Sequence, residues 1–300
     1  MMTVTAPRAM RETADAARNA GARVGLVPTM GALHEGHASL VRLARSRCGF
    51  VAASLFVNPR QFGPSEDLAR YPRMAESDER VLDSLGCDVL FMPSPAEIYS
   101  AADRTSVVVE GLSDLLCGAS RPGHFRGVAL VVAKLFNIVR PDEAFFGQKD
   151  AQQAVIIQRM AADLDFPVRV VLGPTVREAD GLALSSRNAY LDADARRRAP
   201  AIYRSLREAK GRITRGERAP GPIVAMMESA MRGAGLAVDY AAIVDGATLE
   251  PVAVIEGTVL IACAASIGGT RLIDNIVLSV SGSAVAETLI EFPEWSRYAK

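Results

Sequence analysis

A doubly wound α/β domain followed by a smaller α+β domain is the fold class this chain's pattern predicts. Three observations carry it. Apolar runs such as Phe50-Val51-Ala52-Ala53-Ser54-Leu55-Phe56-Val57 lack polar alternation, as strands of a parallel sheet covered on both faces do. Helical patterns of about ten residues or more separate these runs, as parallel crossovers require. After Asn188 the strands follow one another without long helices between them, the mark of an antiparallel sheet. The first domain is expected over residues 1–175 and the second over residues 176–300.

The first helix is expected over Pro7 to Ala20 and feeds a buried strand, Arg23 to Val27. A helix follows over His37 to Cys48, ending near Gly49, then the strand Phe50 to Val57. Glu76 to Leu85 reads as a helix stopped by Gly86, and Cys87 to Met92 as a third strand. Thr105 to Glu110 is short and β-branched and reads as a further strand. Gly127 to Val139 is apolar on most faces, so a deeply buried helix is expected. Glu143 to Phe146 (strand), Ala151 to Leu164 (helix) and Val168 to Leu172 (strand) complete the first domain. In the second, Asp192 to Arg215, with Asp192 as its N-cap, and Gly221 to Arg232 read as helices. Ala237 to Val244, Thr258 to Ala265 and Arg271 to Val280 read as strands. Gly282 breaks the last of these, and Pro293 limits any helix beyond it, so residues 283–300 are expected to be a tail.

Composition narrows the function. The chain has 300 residues, and its 34 Lys and Arg balance 34 Asp and Glu. That balance argues against a nucleic-acid surface or a polybasic membrane anchor. Lys134 interrupts the longest apolar run, so no membrane-spanning segment is expected. The Ala- and Arg-rich start could pass for a transit peptide, but Glu12 and Asp15 argue against one. Cys48, Cys87, Cys117 and Cys263 are scattered without a Cys-x-x-Cys pair, which suits free thiols in a reducing cytoplasm.

In a doubly wound sheet the ligand sits outside the carboxyl ends of the strands. The polar segments Thr29–His37, Asn58–Gly63, Gly147–Gln153 and Thr175–Asn188 each follow a strand, so they are expected to converge on one rim. The first reads as strand, Gly-bearing turn and helix start. Its free backbone N–H groups and the helix dipole suit a phosphate. His34 and His37, two of the three histidines of the chain, can each donate a ring N–H to a phosphoryl oxygen. The pair could instead be two metal ligands without an evident third, or two satisfied loop histidines. Lys149 brings a mobile charge to a second Gly turn, while Asp150 could serve only as a helix cap. Gln153 shares a helix face with Asp150. Ser185, Ser186 and Arg187 could clamp β- and γ-phosphates, or form a Ser cap beside a surface Arg. Asn58 and Gln61 match the hydroxyl and carboxylate of a small hydroxy acid, though Asn58 could equally stabilise its turn. Arg121 to Gly127 holds the third histidine, His124, and reads as an anion-facing loop, a lid or a subunit contact.

Five of these motifs in this order and spacing resemble the pantoate–β-alanine ligase family: Pro28-Thr29-Met30-Gly31-Ala32-Leu33-His34-Glu35-Gly36-His37, Asn58-Pro59-Arg60-Gln61-Phe62, Arg121-Pro122-Gly123-His124-Phe125, Gly147-Gln148-Lys149-Asp150-Ala151-Gln152-Gln153 and Ser185-Ser186-Arg187-Asn188. The His-x-Gly-His segment alone would imply only the wider nucleotidylyltransferase superfamily with its Rossmann-like fold. The resemblance covers the chain to about residue 280 and implies ATP, Mg²⁺, (R)-pantoate and β-alanine as ligands of a homodimer. It implies that Met30, Gly31, Ala32, Leu33, His34, Glu35, Gly36, His37, Gly147, Gln148, Lys149, Asp150, Val176, Leu184, Ser185, Ser186 and Arg187 hold ATP. Gln61 would touch pantoate and β-alanine, and Gln153 pantoate. His37 matches the family's catalytic proton donor. No protein ligand for Mg²⁺ can be assigned, although Glu76 and Asp78 make their region acidic.

The chemistry refines these roles. A carboxylate with a pKa of about 4 is already ionised at neutral pH and needs no base to attack phosphorus. His37 is therefore better read as a donor to phosphoryl oxygens beside His34, Lys149 and Arg187. Forming an amide from a carboxylate needs an activated acyl group, here pantoyl adenylate, and water must be kept from it, which makes the second domain a candidate lid. Another adenylyl- or cytidylyltransferase, and a nucleotide-binding regulatory module without turnover, are the competing readings.

Overall fold

The structure, a computed structural model, describes residues 1–64 and 66–290. Among these, six parallel strands form the larger sheet: β1 (Met2–Val4), β2 (Val24–Thr29), β3 (Phe50–Leu55), β4 (Val89–Phe91), β5 (Glu143–Gly147) and β6 (Arg169–Gly173), in the order β1-β4-β3-β2-β5-β6. Helices α1 (Pro7–Asn19), α2 (Glu35–Arg47), α3 (Ala75–Ser84), α4 (Pro95–Ile98), α5 (Cys117–Ser120), α6 (His124–Val139) and α7 (Ala151–Asp163) belong to the same half of the chain. Both faces of the sheet are buried. Leu26, Ala52 and Phe146 pack into one apolar cluster with α1, α6 and α7. Val27, Val51, Ala53 and Phe145 pack into another with Leu40 and Val41 of α2 and Leu82 of α3. This two-sided burial is why the strands carry no polar alternation, and the doubly wound sheet is as expected.

Chain order reverses between β2 and β5. β2 pairs β3 along its whole length, Val24↔Phe50 to Thr29↔Leu55, but pairs β5 only at Gly25↔Glu143 and Leu26↔Ala144. Pro28, which cannot donate to a ladder, lies where the β5 pairing has already ended. The two strands thus part toward their carboxyl ends, and a crevice opens at the switch point where such folds bind ligands.

The second sheet is antiparallel, in the order β10-β9-β8-β7, from β7 (Ala237–Asp245), β8 (Gly257–Ile267), β9 (Thr270–Ser281) and β10 (Ala284–Glu287). Helices α8 (Ala193–Arg198), α9 (Ala201–Thr214) and α10 (Pro220–Gly233) accompany it. Ile202, Leu206 and Ile213 of α9 and Ile223, Met227 and Met231 of α10 share a core with Val259, Ile261 and Leu278 of the sheet.

Some expectations change. Thr105 to Glu110 is not a strand: the sheet edge beside β4 is taken by β1, at Met2↔Val89 to Val4↔Phe91. Three residues are too few to show a period, so β1 left no pattern to read. The helix expected over Asp192 to Arg215 is two, α8 and α9, divided where Pro200 has no N–H to give. Asp192 does cap the first of them, accepting from the Ala195 N–H at 2.8 Å. The tail expected from residue 283 begins instead as β10, paired with β9 from Ala284↔Ser281 to Glu287↔Leu278. Ile290 beyond it is buried. The rest of that expected tail, 291–300, lies outside the described residues.

Candidate active site

The crevice widens into a cavity of about 720 Å³. Met30, His34, Gly36, His37, Asn58, Gln61, Gly147, Lys149, Asp150, Gln153, Val176, Leu184, Ser185, Ser186 and Arg187 all line it. Segments far apart in sequence therefore do meet at one rim. Gly31, Ala32, Leu33, Glu35 and Gln148 do not line it. Glu35 is exposed and pairs with Arg42. Gln148 is buried and turned toward the second sheet: its Nε2 donates to Asn275 Oδ1 at 3.4 Å and its Oε1 accepts from the Ile290 N–H at 3.2 Å.

The turn after β2 differs from expectation in one respect. Gly31 (φ 87°) and Ala32 (φ 50°) both take left-handed backbone, strain that for Ala32 needs an external hold. Buried Asp78 of α3 supplies it, accepting from Ala32 N–H at 2.9 Å and Leu33 N–H at 2.8 Å. These amides are therefore not free for a phosphate. The next ones are claimed by the histidines: Gly36 N–H donates to His34 Nδ1 at 3.2 Å, and His34 N–H to His37 Nδ1 at 3.3 Å. Together these form a capping box at the start of α2.

That box fixes the imidazoles. Each Nδ1 accepts an N–H, so each neutral ring carries its proton on Nε2. Burial pushes the His37 pKa down to about 3, with His34 beside it acting the same way. Burial, then the Lys149 ammonium, pushes His34 down to about 4. Both rings, 4.2 Å apart between centroids, are thus neutral N–H donors at physiological pH.

Lys149 and Asp150 leave the end of β5. Their charged groups lie 3.8 Å apart, and Asp150 makes no side-chain cap for α7. Ser185 does cap its short helical turn, accepting from Arg187 N–H at 3.2 Å. The Arg187 guanidinium forks onto Asp67, with Nε to Oδ2 at 3.0 Å and Nη2 to Oδ1 at 2.9 Å.

The opposite character appears along α6. Val128, Val131, Val132 and Leu135 form a stripe at helical spacing and, with Phe56 and Phe146, give part of the cavity an apolar lining. Gln61 and Gln153 bring neutral amides to the same cavity. Asn58 is spent on the protein: its Nδ2 donates to Gln61 Oε1 at 3.0 Å and Gly127 O at 3.1 Å. Its Oδ1 accepts from Tyr99 OH at 2.8 Å and Arg60 N–H at 3.2 Å. Asn58 thus orients Gln61 and stabilises its turn, the alternative reading of this residue, while also lining the cavity. Gly127 is what allows α6 to approach: a Cβ there would lie 2.2 Å from the Arg60 carbonyl oxygen. His124 donates from Nδ1 to the Gln61 carbonyl at 2.8 Å and accepts from Arg121 Nη1 at 3.1 Å on Nε2. Burial, aided by Arg121, pushes its pKa down to about 4.

Sequence reasoning missed several lining residues. Glu66, Asp67 and Tyr71 come from the loop after β3, and Gly268 to Asp274 from the β8–β9 hairpin. The only signal for the loop was its closeness to Gln61. The hairpin reaches the cavity through domain docking, which leaves no local pattern.

Comparison with known proteins agrees with this geometry. Residues 2–277 match the family model described as pantoate-beta-alanine ligase. The chain is 53% identical over 274 residues to the pantothenate synthetase of Moorella thermoacetica, covering 91% of this chain and 97% of that protein. It is 54% identical over 263 residues to that of Pelotomaculum thermopropionicum, covering 87% and 93%. The crystal structure of pantothenate synthetase from Thermus thermophilus superposes with a TM-score of 0.87 at 45% identity, covering 92% of this chain and 98% of that one. The pantoate-beta-alanine ligase of Francisella tularensis, complexed with beta-gamma ATP and beta-alanine, gives 0.76 at 32%, covering 92% and 97%. With its signature histidines, lysine and arginine gathered at one cavity, this chain belongs to the pantoate–β-alanine ligase family.

Proposed function

We propose that this enzyme joins (R)-pantoate to β-alanine in two steps driven by ATP. The pantoate carboxylate attacks the α-phosphorus, a P–O bond breaks, and pyrophosphate leaves with the electron pair. The amine of β-alanine then attacks the acyl carbon of pantoyl adenylate, and AMP leaves. The single observation that carries this reading is one cavity with two halves. His34, His37, Lys149 and Arg187 supply two neutral N–H donors and two cations, while the α6 stripe with Gln61 and Gln153 suits a branched, hydroxylated acid.

In this reading ATP lies along Met30, Gly36, His37, Gly147, Lys149, Asp150, Val176, Leu184, Ser185, Ser186 and Arg187. The catalytic groups stabilise charge on phosphoryl and leaving-group oxygens, the main tool of such transfers. A neutral ring with its proton on Nε2 donates a hydrogen bond without first having to be protonated. The ammonium of β-alanine, with a pKa near 10, must shed a proton before it attacks. Mg²⁺ enters with ATP as substrate. Among the described residues no three His, Cys, Asp or Glu side chains gather to hold a metal, and Asp78 spends both oxygens on backbone amides. Phosphate oxygens are then its ligands, as is usual for this ion.

The proposal divides the chain near residue 175, with the second domain closing over the adenylate to exclude water. That the β8–β9 hairpin already lines the cavity supports it. A cytoplasmic homodimer completes the reading. Its support is the family and four free cysteines, and no helix among the described residues is long and apolar enough to cross a membrane.

Pantoate-dependent exchange of labelled pyrophosphate into ATP, without β-alanine, tests the adenylate directly. Exchange is expected, and AMP release only once β-alanine is added. No exchange, or a stable nucleotidyl product, would replace this reading with that of a nucleotidylyltransferase.

A further inference from the structure

The loop after β3 carries two adjacent carboxylates, and each takes a whole guanidinium fork. Glu66 binds Arg121, with Nε to Oε1 at 2.6 Å and Nη2 to Oε2 at 2.7 Å. Asp67 binds Arg187 in the same two-pronged way. The loop is tied to the Ser185–Tyr190 segment at two further points. Tyr71 OH lies 3.2 Å from Ser186 Oγ, and Tyr190 OH donates to the Arg70 carbonyl at 2.9 Å. The Arg187 guanidinium also lies 5.7 Å from the centre of the Tyr71 ring. Glu66, Asp67, Arg70 and Tyr71 all line the cavity.

A carboxylate and a phosphate present the same pair of oxygens to an arginine fork. The Asp67 side chain is 15% exposed and that of Arg187 27%. A guanidinium so far withdrawn from water is costly without an anion beside it. Asp67 supplies that anion inside the cavity, on the arginine assigned to the triphosphate. Asp67 fills the Nε–Nη2 edge of the guanidinium, so a phosphate takes that edge only by displacing it, while Nη1 lies outside this fork.

We propose that Asp67 is a built-in stand-in for a phosphate: it holds the Arg187 fork while the nucleotide site is empty and is displaced by the triphosphate of ATP, so that it sets the affinity for nucleotide. This rests on the reading that Arg187 clamps the triphosphate. Displacement releases the Asp67 end of the loop, while the Glu66–Arg121 pair beside the Gln61 carbonyl is left in place.

The test is calorimetric binding of the Mg²⁺ complex of β,γ-methylene ATP to the full chain and three variants. Asp67→Asn removes the competitor and should tighten binding about two- to fivefold, the scale of a partly exposed ion pair. Glu66→Gln removes the same charge one residue away and should change binding less than about twofold. Arg187→Gln should weaken it about tenfold or more, because a bidentate charged contact is lost. Weaker or unchanged binding in Asp67→Asn, with Arg187→Gln impaired, would make Asp67 a residue that orients Arg187 and would overturn the proposal. Equal tightening in Glu66→Gln would reduce the effect to general relief of negative charge and overturn it too. Unchanged binding in Arg187→Gln would instead remove the clamp reading itself, and the proposal with it.

Discussion

His34 and His37 cap the same helix they carry: the backbone N–H of His34 donates to His37 Nδ1 at 3.3 Å. Each ring therefore spends Nδ1 on the helix cap and leaves Nε2 for the chemical role proposed above. His37→Gln keeps an acceptor at the third helical position, as capping boxes do, but lacks the far ring N–H. It should melt close to the wild type and lose about a hundredfold or more in kcat. His37→Ala should lose the same activity and about 1 kcal/mol of stability as well. Near wild-type turnover in His37→Gln would remove the chemical role.

The pH dependence has a defined sign. The unfolded chain protonates its histidines near the ordinary 6.5, while native His34 and His37 wait until about 4 and 3. Between these values the unfolded state binds more protons, so their contribution to stability is complete above 6.5 and falls as pH drops toward 4. The melting temperature of His37→Gln should therefore decline less than that of the wild type from about pH 7 to about 4.5. Pyrophosphate exchange should show no limb near 6.5 that depends on His37. Such a limb, absent from His37→Gln, would mean that the ring titrates in the working range.

Lys149 and Gln153 are a few residues apart, and the proposed function assigns them to different halves of the cavity. Lys149→Ala should lower kcat about a hundredfold or more. Gln153→Ala should raise the KM for pantoate more than that for ATP. Steady-state kinetics with each substrate varied in turn checks both, and the reverse ordering in Gln153→Ala would exchange the two subsites.

Asp78 is buried and never meets the cavity, but it holds the strained turn that leads into His34. Asp78→Asn sets an amide N–H₂ against backbone donors and strands at least one of them. A loss of about 1–3 kcal/mol is expected in urea unfolding, with a raised KM for ATP. Unaltered stability would show that the turn holds itself.

Gly127→Ala tests the seat of Gln61. The added methyl would meet the Arg60 carbonyl at 2.2 Å, so α6 must shift. About 1–3 kcal/mol of stability should be lost to overpacking, and pantoate should bind more weakly. Unchanged pantoate KM would separate Gln61 from the packing beneath it.

Legibility followed the range of each interaction. The strands after which the motifs fall were readable because burial on two faces leaves unbroken apolar runs. β1 was not, since three residues at an edge carry no period. Lys149 and Gln148 came as one segment of a recognised motif, but consecutive side chains diverge, and only Lys149 meets the cavity. Asn58 was placed at the cavity, but its hold on Gln61 was not readable, because an amide that orients another amide has the same letter as one that touches a ligand. Glu66 and Asp67 looked like ordinary loop charges, because their partners are 55 and 120 residues away.

Asn275 of β9 has one more consequence. Its Nδ2 donates to the Gln148 carbonyl at 3.0 Å and to the Lys149 carbonyl at 2.9 Å. The backbone that bears the ammonium is thus moored to the smaller sheet. A swing of that sheet away from the crevice cannot leave Lys149 behind unless both bonds rupture. If the second domain opens and closes as proposed above, these two bonds couple its travel to the backbone that carries the ammonium.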